Sequence, residues 1–345
     1  MFDLNAIIRK NIKDLKPYSS ARDEYSGTDA VFLDANENPF NTPYNRYPDP
    51  AQMKVKEIVS VLKNVPVKQI FLGNGSDEAI DLLMRAFCEP GKSNIISIDP
   101  SYGMYNVCAN INDVKFMPVK LNADFSLNSE EILKSVNENT RMIFLCSPNN
   151  PTANSFDEEK IFEILGSFHG LVVIDEAYID FSVKRGFLPS LSKFENLVVL
   201  QTFSKAWGLA GIRLGMAFAS EAIIGIMNKI KYPYNINMLT QGIAEKMLLN
   251  VEQKEEWVGL ILKERNKLAE QLGKLNFVEH IYPSDANFVL VRVQDPEIIY
   301  HYLVRQHVIV RDRSRVTLCE GCLRVTVGSP EENRQLINEL KQYKG

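Results

Sequence analysis

The sequence predicts an α/β protein: a mostly parallel, seven-stranded sheet sandwiched by helices, followed by a smaller α+β domain. Seven short, nearly continuous apolar runs succeed one another between residues 70 and 219, as in strands buried on both faces. Stretches of helical period separate several of them, and strands alternating with helices imply parallel pairing. From about residue 250 the pattern becomes one long amphipathic segment followed by alternating strands.

The seven runs, in order, are Ile70–Leu72, Ile95–Ile98, Val114–Val119, Met142–Cys146, Leu171–Ile174, Leu197–Gln201 and Met216–Ala219. Between the first two, Ile80, Leu83, Met84 and Phe87 recur at helical spacing and predict a helix over Asp77–Cys88. Further on, Glu255–Leu272 brings Trp257, Ile261, Leu268 and Leu272 to one face, and Gly273 stands where a helix stops. Strands over Ala286–Val293, Val308–Arg311 and Cys322–Val327 and a helix over Glu331–Tyr343 complete the smaller unit. The expected division is an N-terminal arm over residues 1–30, packed on the small domain and active site, a large domain over 31–250 and a small one over 251–345.

Composition excludes several classes. With 39 basic and 43 acidic side chains, the net charge of −4 offers a nucleic acid no general attraction. No apolar run approaches the roughly 20 residues of a membrane helix, and the charged start does not resemble a secretory signal. Five cysteines without framework spacing suggest free thiols in the cytoplasm. Cys319 and Cys322 form a C-x-x-C, but no second pair follows. His169, His280, His301 and His307 have no ligand spacing, so no metal is expected. His169, just before a strand, is expected to pack or cap.

In parallel sheets ligands bind at the carboxyl ends of strands. There the sequence places Gly73-Asn74-Gly75-Ser76 before a helix, a start that attracts an anion, though Asp77 and Glu78 also suit simple capping. Tyr102 follows the second run, Asn150 lies in a proline-bounded turn after the fourth, and Asp175 and Tyr178 follow the fifth. Each has a plain alternative as a turn, cap or packing residue. After the sixth come Ser204 and Lys205, with Arg213 eight positions beyond Lys205. One ligand would use them all: flat for Tyr102, anionic at one end for Ser76 and Arg213, with a basic nitrogen for Asp175. It would also carry an oxygen for Tyr178 and Asn150 and a carbonyl for Lys205. Pyridoxal 5'-phosphate has these features, and a lysine is the nucleophile its aldehyde requires.

The segments SPNNPT, DEAY and TFSKAWGLAGIRLG resemble those of the fold-type I aminotransferases. Matches in KPYSSARDE, LDANENP, NRYPDP, GNGSDEAIDLLMRAFCEPG, PSYGMY and GCLRVTVGSPEEN extend the resemblance over essentially the whole chain. Among them LDANENP, NRYPDP and GCLR narrow it to the subgroup that acts on histidinol phosphate.

The resemblance implies a pyridoxal phosphate enzyme of histidine biosynthesis, exchanging the amino group of histidinol phosphate with 2-oxoglutarate to give glutamate and imidazole-acetol phosphate. Lys205 would hold the cofactor as a Schiff base and move the proton. Asp175 would pair the ring nitrogen, Tyr178 and Asn150 the ring oxygen, and Tyr102 would stack. Ser76, Asp77, Thr202, Ser204 and Arg213 would gather the phosphate, and Tyr47 would reach the neighbouring site of a homodimer. Arg324 would clamp the substrate's anionic group, with Tyr18, Asn36 and Arg311 as further substrate contacts.

Two positions depart from the pattern. Ala153 stands where glycine is common, and would be strained if that position needs a positive φ. Trp207 replaces a commoner phenylalanine. The resemblance leaves room for a related activity, an aromatic aminotransferase or a threonine-phosphate decarboxylase. A cofactor-binding regulator would need a DNA-binding module for which the chain has no basic helix.

Overall fold

The computed structural model describes residues 2–17 and 31–343. Its large sheet comprises β1 (Ile70–Asn74), β2 (Asn94–Asp99), β3 (Lys115–Lys120), β4 (Thr140–Cys146), β5 (Leu171–Asp175), β6 (Leu197–Thr202) and β7 (Leu214–Phe218), ordered β1-β7-β6-β5-β4-β2-β3. Strands β3, β2, β4, β5 and β6 pair in parallel; β7 runs antiparallel to both neighbours, β6 and β1.

The nearly unbroken apolar runs follow from burial on both faces. Ile96, Ile143, Leu145, Val172, Ile174, Val199 and Met216 belong to one cluster; Ile95, Met142, Phe144, Val173, Val198, Leu200 and Ala217 alternate with them into the other. The helix Ser76–Phe87 covers the second face with Ile80, Leu83, Met84 and Phe87 buried. Residues 2–17 form two short helices, and Phe2, Leu4, Ile7 and Ile8 pack on this same cluster, so this part of the arm lies on the large unit.

A second, antiparallel sheet is built from β8 (Val278–Ile281), β9 (Phe288–Val293), β10 (Arg311–Asp312) and β11 (Cys322–Thr326), in the order β10-β11-β9-β8. The helices Val251–Leu272, Pro296–Arg305 and Pro330–Gln342 accompany it, the last started by a Ser329–Glu332 capping box. Two sequence expectations need correction, and one strand, β8, was not expected. Strand Val308–Arg311 shrinks to Arg311–Asp312, since only those residues pair with β11. The half-exposed β8 lacks the apolar run that signals a strand. Trp257 is 37% exposed rather than seated on the buried face of its helix, whereas Leu268 and Leu272 are buried. Ala286, Phe288, Leu290, Cys319 and Cys322 join the first cluster of the large sheet, and Phe288 meets Tyr178 edge-on while Arg324 reaches Asn150, so the small sheet packs beside the carboxyl ends of β4 and β5. Among the described residues no helix is long and apolar enough to cross a membrane.

Candidate active site

Strand direction gathers the site. Five parallel-running strands release their following residues at one edge of the sheet, and β7, running the other way, begins there. Arg213 immediately precedes β7 and so reaches the same edge. A cavity of about 150 Å3 at this edge is lined by Ser76, Asp77, Tyr102, Asn150, Asp175, Tyr178, Thr202, Ser204, Lys205 and Arg213, with Gly75, Cys146, Ala177 and Ala210.

At one end the helix Ser76–Phe87 starts at Gly75 with no side-chain cap, leaving its first N–H groups to face the cavity. Thr202 donates to Ser204 Oγ at 3.0 Å, and Arg213 Nη2 lies 3.6 Å from Asp77 Oδ2. Arg213 is held at φ 54, a left-handed conformation that costs a non-glycine residue about 1–2 kcal/mol. The Gly75 amide donates to its carbonyl at 3.0 Å. A Cβ on Gly75 would come within 2.7 Å of Arg213 Nη2, so glycine keeps this corner open to the guanidinium.

At the other end Asp175 is buried at the end of β5. It accepts from Tyr105 Oη at 2.7 Å and from the Ala177 amide at 3.0 Å. Burial raises its pKa to about 6, against the pull of these donors. Between the ends, Asn150 Nδ2 donates to Tyr178 Oη at 3.4 Å, and Arg324 donates to Asn150 Oδ1. Burial raises the phenol pKa of Tyr178 and of Tyr102, whose hydroxyl donates to Asp77 Oδ1 at 3.1 Å. Lys205 Nζ stands 5.6 Å from the Tyr178 ring centre. Burial, then the charge of Arg324, lowers its pKa, while Asp175 opposes the shift. The cavity thus joins an anion-binding end, a buried carboxylate, two polar groups facing one point, and an amine biased toward its neutral, nucleophilic form.

These groups fit pyridoxal phosphate: the open Gly75 corner and uncapped helix suit a phosphate, and the carboxylate at the far end suits a ring nitrogen.

Other expected residues lie elsewhere. Arg324 sits on β11, and Arg311 is its register partner on β10, exposed to solvent. Tyr47 and Asn36 line a separate hollow with Tyr234, on whose ring Tyr47 stacks at 4.4 Å. Tyr18 lies outside the described residues. His169 is exposed and does not pack. Cys319 and Cys322 are buried free thiols in the loop and strand leading to Arg324, and no group of three or more metal-ligating side chains occurs among the described residues. Ala153 does hold a positive φ, 68°, fixed by hydrogen bonds to Asn149 and from Asp285. Trp207 is buried against Phe203, with Lys254 Nζ 5.8 Å over its ring.

Sequence reading missed Tyr105. Its signal was the three-residue spacing from Tyr102, one turn that the Tyr105 amide closes onto the Tyr102 carbonyl. Also missed was Gly215, where β7 passes against the turn at Gly75 and Ser76.

A family model described as Aminotransferase class I and II matches residues 27–340. The chain is 56% identical over 344 residues to the histidinol-phosphate aminotransferase of Parabacteroides distasonis, covering all of both chains. Among solved structures it resembles the histidinol-phosphate aminotransferase from Clostridium acetobutylicum, with TM-score 0.80, 24% identity and coverage of 87% of this chain and 90% of that one. It also resembles the histidinol-phosphate aminotransferase from Sinorhizobium meliloti in complex with pyridoxal-5'-phosphate, with TM-score 0.79, 22% identity and 86% and 82% covered. At these identities the structural likeness speaks for the fold.

Proposed function

This chain belongs to the class I and II aminotransferases, and we propose that it moves the amino group of histidinol phosphate to 2-oxoglutarate on pyridoxal 5'-phosphate. The observation that carries the substrate is the end-to-end identity of 56% with a protein named for that reaction. The cavity around Lys205 supports the chemistry.

When bound, pyridoxal phosphate supplies an aldehyde for the substrate amine and a protonated ring that accepts the electron pair released at the α-carbon. Ser76, Thr202, Ser204, Arg213 and the amide of Asp77 would hold its phosphate, Tyr102 would stack on its ring, Asp175 would pair the ring nitrogen, and Asn150 and Tyr178 would donate to the ring oxygen. Lys205 would hold the aldehyde, and its Nζ, with a lowered pKa, would serve as the base that moves the substrate's α-proton. Arg324, anchored on Asn150, binds the phosphate of histidinol phosphate in one half-reaction and a carboxylate of glutamate in the other.

The same reading includes a homodimer, with Asn36 and Tyr47 facing the partner's site and Tyr47 contributing to its phosphate end. Support comes from the position of Tyr47 outside its own chain's Lys205 cavity and from exposed apolar side chains at Val31, Leu33, Phe40, Val61, Leu239 and Leu249. Tyr18 and Arg311 complete the substrate contacts. The large unit, 31–250, holds the cofactor and the small one, 251–345, brings Arg324 to it. A cytoplasmic setting accords with five free cysteines.

The test is a paired assay on purified protein. Histidinol phosphate with 2-oxoglutarate is expected to yield glutamate far faster than phenylalanine does, and threonine phosphate is expected to release no carbon dioxide. Equal rates with phenylalanine would overturn the substrate assignment and leave the transaminase chemistry standing.

A further inference from the structure

Tyr105 is buried completely and does not line the cavity, yet its hydroxyl donates to Asp175 Oδ2 at 2.7 Å. Its ring is wedged between Phe144, stacked at 4.9 Å, and Tyr102, met edge-on at 5.6 Å. The hydroxyl has a single proton, and the ionised carboxylate, which can only accept, is the far stronger acceptor than the nearby Cys146 sulfur, whose own proton goes to the Pro148 carbonyl. We propose that Tyr105 is a positioning residue that keeps Asp175 ionised, so that the proton between carboxylate and cofactor rests on the ring nitrogen. This rests on reading the cavity as a pyridoxal phosphate site.

The magnitudes make the phenol decisive. The groups facing Asp175 are Asp77 from the helix Ser76–Phe87, Tyr102 and Tyr105 from the turn and helix after β2, and Cys146 from the end of β4. Its own strand end contributes Glu176 and Tyr178, and the turn after β6 contributes Lys205. Burial dominates, and with Tyr105 and the Ala177 amide opposing it the pKa of Asp175 is about 6, leaving a carboxylate at pH 7. Losing a hydrogen bond to a charged group raises such a pKa by about one to two units. That would carry Asp175 through neutrality, and a neutral acid leaves the ring nitrogen unprotonated and a weak electron sink.

The experiment is equilibrium dialysis of pyridoxal phosphate against cofactor-stripped wild type and Tyr105→Phe between pH 5 and 9. The variant keeps both ring contacts, and a matching melting temperature at pH 9 checks its packing. Ionisations of the cofactor and of Lys205 are common to both proteins, so the ratio of dissociation constants isolates Asp175. It is expected to be near one at pH 9 and to reach about five- to fiftyfold at pH 6. A ratio independent of pH would reduce Tyr105 to a packing residue and overturn the inference. Failure of the wild type to bind pyridoxal phosphate at any pH would instead sink the reading of the site. Should Tyr105→Phe not fold, 3-fluorotyrosine placed at 105 is a stronger donor in the same space. It is expected to bring the ratio at pH 5 below one, and a ratio of one there would also overturn the inference.

Discussion

Replacing Gly215 by alanine tests how the strand that delivers Arg213 meets the turn proposed to receive the phosphate. Gly215 pairs with Gly73 across β7 and β1, and β7 there presses on the start of the helix Ser76–Phe87. A Cβ at 215 would lie 2.2 Å from the Ser76 nitrogen and 2.3 Å from the Gly75 carbonyl carbon, both backbone atoms that no rotamer change can move. Restoring ordinary contact at 3.4 Å requires one segment to retreat by about 1 Å. Overpacking of this kind costs about 1–3 kcal/mol of stability. A displacement of about 1 Å at positioned binding groups costs up to about a hundredfold. Gly215→Ala should therefore weaken pyridoxal phosphate binding by about ten- to hundredfold and lower the melting temperature of the cofactor-free protein. Gly211→Ala is the control, because a Cβ at 211, four residues away, meets nothing within 4 Å. Cofactor titration and thermal melts of both variants decide the matter. Wild-type behaviour from Gly215→Ala, or equal damage from Gly211→Ala, would refute the close-approach argument.

Arg324→Lys removes the donor to Asn150 and the planar fork. A loss of about 1.5–3 kcal/mol predicts kcat/KM lower by about ten- to hundredfold, chiefly through KM, in steady-state assays with histidinol phosphate. Glu176 accepts from Gln201 Nε2 at 2.8 Å and from the Phe187 amide, and burial raises its pKa from 4.5 to about 7. Its contribution to stability is fully present below about pH 4.5 and is lost as pH rises through about 7, reaching a cost of about 3 kcal/mol. Glu176→Gln cannot ionise, and Gln201 Oε1, buried without a partner, can turn to accept from the new amide. In urea unfolding the variant should gain on the wild type between pH 5 and pH 8; an unchanged difference would contradict the raised pKa. Joint replacement of Cys319 and Cys322 by serine, and separately treatment with a chelator, should leave kcat/KM essentially unchanged, since neither thiol lines the cavity. Loss of activity in either case would reopen a redox or metal role for the pair.

The large sheet was legible because two-sided burial writes each strand as an apolar run; all seven predicted runs overlap observed strands. The small domain was less so. β8 is half exposed and β10 is two residues long, and such edges carry little hydrophobic pattern. In the site, residues announced by a strand end, Asn150, Asp175, Lys205 and Arg213, share one cavity. Tyr105 and Gly215 act across the fold, through a side chain 70 positions from Asp175 and through contact between two backbones. The spacing from Tyr102 places Tyr105 near the site, but neither long-range contact is written in the local sequence. The left-handed φ of Ala153 was readable only as a condition, because alanine gives no sign of it.

The central claim is that Lys205 is the amine that carries the cofactor. Borohydride reduction of the pyridoxal phosphate-loaded protein, followed by digestion and mass analysis, tests it directly. The account predicts one phosphopyridoxyl group per chain, on Lys205 within the peptide that contains Ser204 and Trp207. Its recovery on another lysine, with Lys205 unmodified, would contradict the account.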